Sequence, residues 1–252
     1  MDGIQRTPMG IYVLETDLTL SRHIELTGRL DCGLEEISVV ANYIPAGGIV
    51  VNAGAALGDH ACVYSQIVGA TGHVYAYEPH PLYYQALTLN MARFTNVTTY
   101  NIGLGVQAGE QMLFEAPDRG CSAIMPSNTV TAVATQRDGS RVEMSKIPVQ
   151  VERLDDHLLP SLSRCDFLHF DAEGFEPQIL LGAEALIARF KPVMFIEVGD
   201  VHLSRWGMTP QDVIGLLHRF GYQTQRANCV SLGIPDCDVF NVLCRPRESV
   251  NG

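Results

Sequence analysis

The residues best suited to chemistry sit where apolar runs end. Gly48–Gly58, GIVVNAGAALG, leads from Ile49, Val50 and Val51 into a bend carrying Gly54 and Gly58. Val74–Pro79, VYAYEP, closes a second apolar run on Glu78, twenty residues beyond Gly58. A strand, a glycine turn, a helix and a second strand ending in an acid make a βαβ unit that grips a ribose. Glycine lets backbone approach the ligand, and the carboxylate accepts from two vicinal hydroxyls. A dinucleotide fingerprint needs G-x-G-x-x-G against its pyrophosphate, but Ala56 holds the second glycine position and Asp59 the third. A ligand with a ribose and no phosphate fits better, and S-adenosylmethionine is the commonest of these.

Three more acids lie within six residues at Asp171-Ala-Glu173-Gly174-Phe175-Glu176, with His169 two positions before Asp171. Two-residue spacing puts His169 and Asp171 on one strand face, the arrangement of a base and the group that orients it. A histidine inside a buried strand is also a common core residue. Glu176, just before Pro177, suits a first-turn acid favoured by the helix dipole. Glu197 closes the run Val193–Ile196, and His202 follows shortly. The catalytic candidates are therefore Asp171, His169, Glu197 and His202. The cofactor-binding candidates are Asn52, Ala53, Gly54, Gly58 and Asp59 in the bend, Glu78 and Pro79 at the second strand end, and Gly103 and Asp171 beyond. Asp171, Glu173, Glu197 and His202 carry donors of the kind Mg²⁺ or Ca²⁺ takes, but no single loop fixes their spacing, so the sequence supports no metal. Alone, Glu78 also reads as a solvated turn acid, Gly54 and Gly58 as tight-turn glycines, and Trp206 as a packed loop residue.

These groups need a scaffold that converges them. At 252 residues, 46% apolar and 18% charged, the chain is one compact α/β domain with an N-terminal extension or cover over 1–46. The domain proper is 47–252. A net charge of −11 without a Lys/Arg run argues against nucleic acid as an obligatory partner. Seven cysteines without a C-x-x-C pair give neither a disulfide framework nor a zinc knuckle, and fit buried residues in a reducing compartment. Met1-Asp2-Gly3-Ile4 does not begin a secretory signal, and no apolar stretch approaches a membrane span, so cytoplasmic location without a membrane partner is expected.

Period-2 stretches at Ile11–Glu15 and Asp17–Leu26 suggest a hairpin or edge cover. Helical spacing at 31–43, with Asp31 as a cap, comes next. The rhythm then alternates: strand Ile49–Ala53, helix Asp59–Val68, strand His73–Tyr77, helix Pro81–Arg93, strand Val97–Ile102. That spacing predicts a parallel sheet with helices on both faces. About 103–153 the rhythm breaks into short β-prone segments, Gln111–Glu115, Ser122–Met125, Val130–Thr135 and Ile147–Val151. This reads as a β-rich insertion or lid with a mobile section around Pro126–Ser145. Strand Asp166–Asp171, helix Glu176–Arg189, strand Pro192–Val198 and helix Pro210–Phe220 follow, and Tyr222–Arg226 and Val239–Cys244 close the chain as a strand pair. In an open α/β sheet the ligand lies outside the carboxyl ends of the strands, where Asn52-Ala53-Gly54, Glu78, the Asp171 loop and Glu197 would meet.

The order of these motifs resembles the FkbM-type methyltransferases: Gly48–Gly58, Val74–Pro79, Leu154-Asp155-Asp156, Asp166–Glu176 with Leu181-Gly182-Ala183, and Pro192–Val198. The resemblance runs from about Asp31 to Val198, and its D-x-E-G-x-E box followed by L-x-G-A is more specific than the glycine loop. It implies a Rossmann-like class I methyltransferase sheet of seven strands with the last antiparallel. It also implies S-adenosylmethionine-dependent methyl transfer, usually to oxygen, often on sugars or natural-product alcohols. Two positions depart from the pattern. The glycine loop usually opens Asp-x-Gly, where this chain has Asn52-Ala53-Gly54, and the residue two before the aspartate is commonly lysine, where it has His169. The reading is an O-methyltransferase for a small-molecule hydroxyl. Its rivals are a non-catalytic binding or scaffold protein on the same fold and, behind it, an NAD-dependent oxidoreductase. The acceptor and the oligomeric state carry no readable motif.

Overall fold

The computed structural model describes residues 3–31, 34–116, 122–129, 131–135, 140–227 and 239–247. The chain opens with strands β1 (Ile4–Arg6) and β2 (Tyr12–Leu14), an antiparallel hairpin, followed by helices α1 (Leu20–Thr27) and α2 (Leu34–Val40). The period-2 stretch Asp17–Leu26 is thus largely helical, contrary to the strand pattern. Asp17 decides it: one carboxylate oxygen accepts from the N–H and hydroxyl of Thr19, the other from those of Ser21. Four donors on one acid start a helix where alternation alone reads as strand. Asp31, expected as a cap, takes the Arg29 guanidinium at 2.8 and 2.9 Å, and residues 32 and 33 between it and α2 lie outside the described residues.

The central run follows the sequence pattern closely: β3 (Ile49–Ala53), α3 (Asp59–Val68), β4 (His73–Tyr77), α4 (Pro81–Met91) and β5 (Val97–Tyr100). The inserted region holds β6 (Gly103–Leu104), β7 (Gly109–Glu115), β8 (Ser122–Ile124), β9 (Val133–Thr135), β10 (Arg141–Glu143) and β11 (Ser145–Glu152). β6, β11, β7 and β8 form a four-stranded sheet in that order, and β9 pairs with β10 alone. Val130 and residues 136–139, within the segment expected to be mobile, lie outside the described residues.

The α/β pattern resumes with α5 (Leu154–His157), β12 (Phe167–Phe170), α6 (Glu176–Gly182), α7 (Glu184–Phe190) and β13 (Val193–Gly199). The expected single helix Glu176–Arg189 is two helices, broken at Ala183. The Asp155 carboxylate accepts from Ala185 N at 2.9 Å and Leu186 N at 2.8 Å, which gives α7 an N-terminus of its own. The chain ends with α8 (Asp200–Leu203), α9 (Pro210–Arg219), β14 (Tyr222–Ala227) and β15 (Val239–Pro246).

The main sheet has seven strands in the order β14-β15-β13-β12-β3-β4-β5. From β13 to β5 all neighbours are parallel, while β15, the last strand of the chain, runs antiparallel to both β13 and β14. Strand order reverses between β3 and β12, so the crevice at their carboxyl ends is the switch point where such sheets bind ligands. Alternating residues feed two apolar layers. Val51, Ala53, Leu168, Phe170, Met194 and Ile196 pack with α6, α7, α9 and the four-stranded sheet. Val50, Ala76, Phe167 and Phe195 pack with α3, α4 and the N-terminal segment. Asn90 on α4 ties that segment down, accepting from Tyr12 N and donating to the carbonyls of Tyr12 and Leu57. No helix among the described residues is long and apolar enough to cross a membrane.

Candidate active site

The end of β3 and the end of β4 are stitched together. Gly54 N and Ala55 N both donate to the Tyr77 carbonyl at 3.0 Å. Gly54 has φ +78°, and a Cβ on it would stand 1.6 Å from the Asp171 carbonyl oxygen. Glycine here lets two strand-end loops touch, a protein contact that the sequence alone does not reveal. Asp171 N in turn donates to the Ala53 carbonyl at 3.1 Å, so the loop after β12 is locked to the loop after β3.

Glu78 is 6% exposed, with Oε2 accepting from Ala56 N at 2.9 Å and Oε1 from His80 N at 2.8 Å. Ala56 adopts φ +45°, a left-handed conformation that aims its N–H at the acid. Burial raises the Glu78 pKa, and the two backbone N–H groups oppose that rise. Each carboxylate oxygen keeps a free lone pair direction, because an ionised carboxylate offers about four acceptor sites. Pro79 follows, and Asn101 Nδ2 clamps the turn by donating to the carbonyls of Glu78 and Pro79. Gly103 is buried in β6 against Val151 and Ile124. Gly58 caps α3, and Asp59 is the acid in that helix's first turn, within 3.2 Å of His60 Nδ1. A carboxylate there fills the anion-favouring helix end with negative charge, which suits a ribose-bearing ligand without phosphate.

Asn52 and His169 lie lower, on the face under α3. Their Cα atoms are paired across β3 and β12. Asn52 is fully buried, and neither amide atom has a hydrogen-bond partner among the described residues. His169 is 1% exposed, bonded through Nδ1 to the Tyr64 hydroxyl at 3.0 Å and edge-on to the His60 ring. Burial, with His60 next, drives its pKa well below the ordinary value, so it is neutral. Tyr64 and His60 had no signal in the sequence, since only the register of α3 over the sheet brings them to His169.

A third group gathers past β12 and β13. Glu176 is 1% exposed and accepts from Ala172 N at 2.7 Å and Gly174 N at 3.3 Å, holding its own loop in shape. Burial lifts its pKa to about 8. Glu173 takes a left-handed φ of +55°, and a Cβ on Gly174 would stand 2.7 Å from the His202 carbonyl. That close approach brings Glu173 to α8: its Oε2 is 3.1 Å from His202 Nε2, while His202 Nδ1 is 3.7 Å from Glu197 Oε2. Burial raises the Glu197 pKa well above the carboxylate range, helped by Asp171, Glu173 and Glu176 and by a hydrogen bond with Asp171. Burial lowers that of His202. The structure therefore joins Asp171, Glu173, Glu197 and His202 in one corner, and keeps Asn52 and His169 in another. Trp206 packs against Phe175 at 5.3 Å between ring centres.

The methyltransferase FkbM domain model matches residues 52–224. A search of curated proteins finds no match. Among solved structures, the FkbM methyltransferase of Methylobacillus flagellatus is similar at TM-score 0.49 and 17% identity, over 88% of this chain and 52% of that one. The present chain thus spans about half the length of that relative. Aeropyrum pernix fibrillarin, in complex with S-adenosyl-L-methionine, is similar at TM-score 0.48 and 14% identity, over 80% and 68% of the two chains. An rRNA methylase from Streptococcus thermophilus is similar at TM-score 0.48 and 11% identity, over 84% and 94%. With its family model covering more than half its length, the chain belongs to the FkbM methyltransferase family.

Proposed function

We propose that the protein is an S-adenosylmethionine-dependent methyltransferase acting on the hydroxyl oxygen of a small molecule. One observation carries the reading. Glu78, at the end of the strand beside β3, is held by Ala56 of the glycine bend and still has lone pairs for a vicinal diol. The absence of any cationic side chain from the bend Gly54–Gly58, and the acid at the start of α3, fit a ligand whose charge is positive.

Glu78 would hold the ribose hydroxyls and the Gly54–Gly58 bend would lie along the adenosyl group. S-adenosylmethionine supplies a methyl group already activated on a sulfonium. What remains for the chain is to align the acceptor, exclude water and take its proton. Asp171, hydrogen-bonded to Glu197, is the group we assign to accept that proton, with Glu197 as the group that orients it. A positioned base contributes roughly 10²–10⁴-fold. The acidic side chains Asp171 and Glu173 in that corner also favour a cationic donor nearby.

Calorimetry with S-adenosylmethionine and S-adenosylhomocysteine tests the binding half of the reading. Transfer of labelled methyl to a panel of hydroxylated sugars and alcohols tests the reaction. Heat with neither ligand would reject the assignment in favour of a scaffold on the same fold.

A further inference from the structure

The corner beyond β12 and β13 holds more than a proton acceptor needs. Glu173, Glu197 and His202 each offer one ligand atom, and the three atoms lie within 4.8 Å of one another. Two of the atoms facing each other there, Glu197 Oε2 and His202 Nδ1, are shut off from solvent and have no hydrogen-bond partner among the described residues. At 3.7 Å they are too far apart to bond each other. Ligand atoms that share one ion at bonds of about 2.1 Å stand roughly 3.0–3.4 Å apart, so a small closure would place both on one cation. His202 Nε2 faces Glu173 Oε2 at 3.1 Å, and an imidazole that donates Nε2–H to a carboxylate presents the lone pair of Nδ1 to a metal.

We propose that Glu197 and His202 ligate, and Glu173 orients through His202 Nε2, a divalent transition-metal ion of the Mn²⁺ or Zn²⁺ kind. Imidazole beside carboxylates selects such ions over Mg²⁺ and Ca²⁺, which take oxygen alone. The elements that supply these groups are short and fixed. Glu173 is held by the loop that Glu176 bonds into shape, Glu197 is on the last strand residues of β13, and His202 is in α8, against which Gly174 packs. A doubly charged ion would offset the mutual repulsion of Asp171, Glu173, Glu176 and Glu197, and Arg205 reaches this corner through a bond from its Nη1 to the Glu173 carbonyl at 3.3 Å. The role of the ion rests on the methyl-transfer reading: bound beside the acceptor, it would ligate the hydroxyl oxygen and ease loss of its proton. The site itself rests on geometry alone.

The test is Mn²⁺ binding to the chelator-treated full chain, followed by loss of the free-ion electron paramagnetic resonance signal in the absence of S-adenosylmethionine. The expected result is one ion per chain, tighter than Mg²⁺ or Ca²⁺, with Glu197→Gln and His202→Gln each weakening it at least tenfold. Glu143→Gln, an exposed acid on β10, should leave it unchanged. Because Glu197 is buried, melting curves accompany each variant, and Glu173→Gln provides a more exposed substitution that should weaken binding while keeping the fold. In the wild type, saturating Mn²⁺ should raise the melting temperature. No stoichiometric binding by the wild type, or equal binding by all variants, overturns the proposal. A chain that binds Mn²⁺ and not S-adenosylmethionine sinks the methyltransferase reading alone; the reverse pattern sinks the metal site alone.

Discussion

Glu78 accepts a hydrogen bond from the backbone of Ala56, 22 residues earlier, at 2.9 Å. The end of β4 and the glycine bend after β3 are thereby one mechanical unit: the acid cannot move without the bend, and the bend keeps its left-handed alanine because the acid pulls on its N–H. A ligand diol bound to Glu78 would find both oxygens already oriented, which lowers the cost of ordering on binding.

Glu78→Ala should raise the dissociation constant for S-adenosylmethionine at least about tenfold, or about 1.4 kcal/mol. The N–H groups of Ala56 and His80 lose their acceptor, so a drop in stability of about 1–3 kcal/mol accompanies it. Calorimetry and thermal melts separate the two effects. An unchanged dissociation constant in a folded variant removes Glu78 from the cofactor site.

Asp171→Asn should lower turnover by about 10²-fold or more while changing S-adenosylmethionine affinity less than about threefold. The asparagine keeps the volume and the backbone bond to Ala53, and loses only the basic oxygen. Steady-state kinetics on an identified acceptor, with calorimetry on the same sample, give the comparison. Equal losses in turnover and affinity would make Asp171 a cofactor ligand or a structural residue.

Gly54→Ala tests the lock between the β3 and β12 loops. The new Cβ meets the Asp171 carbonyl at 1.6 Å, and φ +78° is already unfavourable for alanine. Backbone strain and overpacking together predict a loss of about 2–4 kcal/mol. A melting temperature within a degree or two of wild type would mean that these loops are free to separate. Comparison with Gly207→Ala, where φ is +66° in the left-handed region and nothing lies within 4 Å of the added carbon, gives the cost of strain without the contact.

The strands and helices that build the crevice are legible because apolar runs there end on unambiguous breakers. Ile49–Ala53, Asp59–Val68 and His73–Tyr77 occupy the limits their sequence pattern sets. Asp17–Leu26 misleads because a single well-placed acid outweighs alternation. Glu176–Arg189 misleads because the acid that starts its second half, Asp155, lies thirty residues away and enters only through tertiary contact. The same limit applies to the candidate site. Glu78 is readable from its distance to the glycines. The meeting of Glu173 with His202 depends on how closely Gly174 packs on α8, and the union of His169 with Tyr64 and His60 depends on helix register; neither is written in local spacing.

Glu176 gives the loop that carries Asp171 and Glu173 a pH dependence of its own. It is buried, and burial lifts its pKa from 4.5 to about 8. The folded state therefore binds this proton more tightly than the unfolded chain. Its contribution to stability is complete below the unfolded value, declines as pH rises and is gone above the folded value, with a slope of up to about 1.4 kcal/mol per pH unit between them. Glu176→Gln keeps an oxygen for the N–H groups of Ala172 and Gly174 and removes the titration. Urea melts at a series of pH values from 4 to 9 should show wild type losing stability relative to Glu176→Gln as pH rises, with the difference levelling off above about 8. Parallel curves for the two proteins would mean that Glu176 is solvated, and that the loop shape it holds arises from its neighbours.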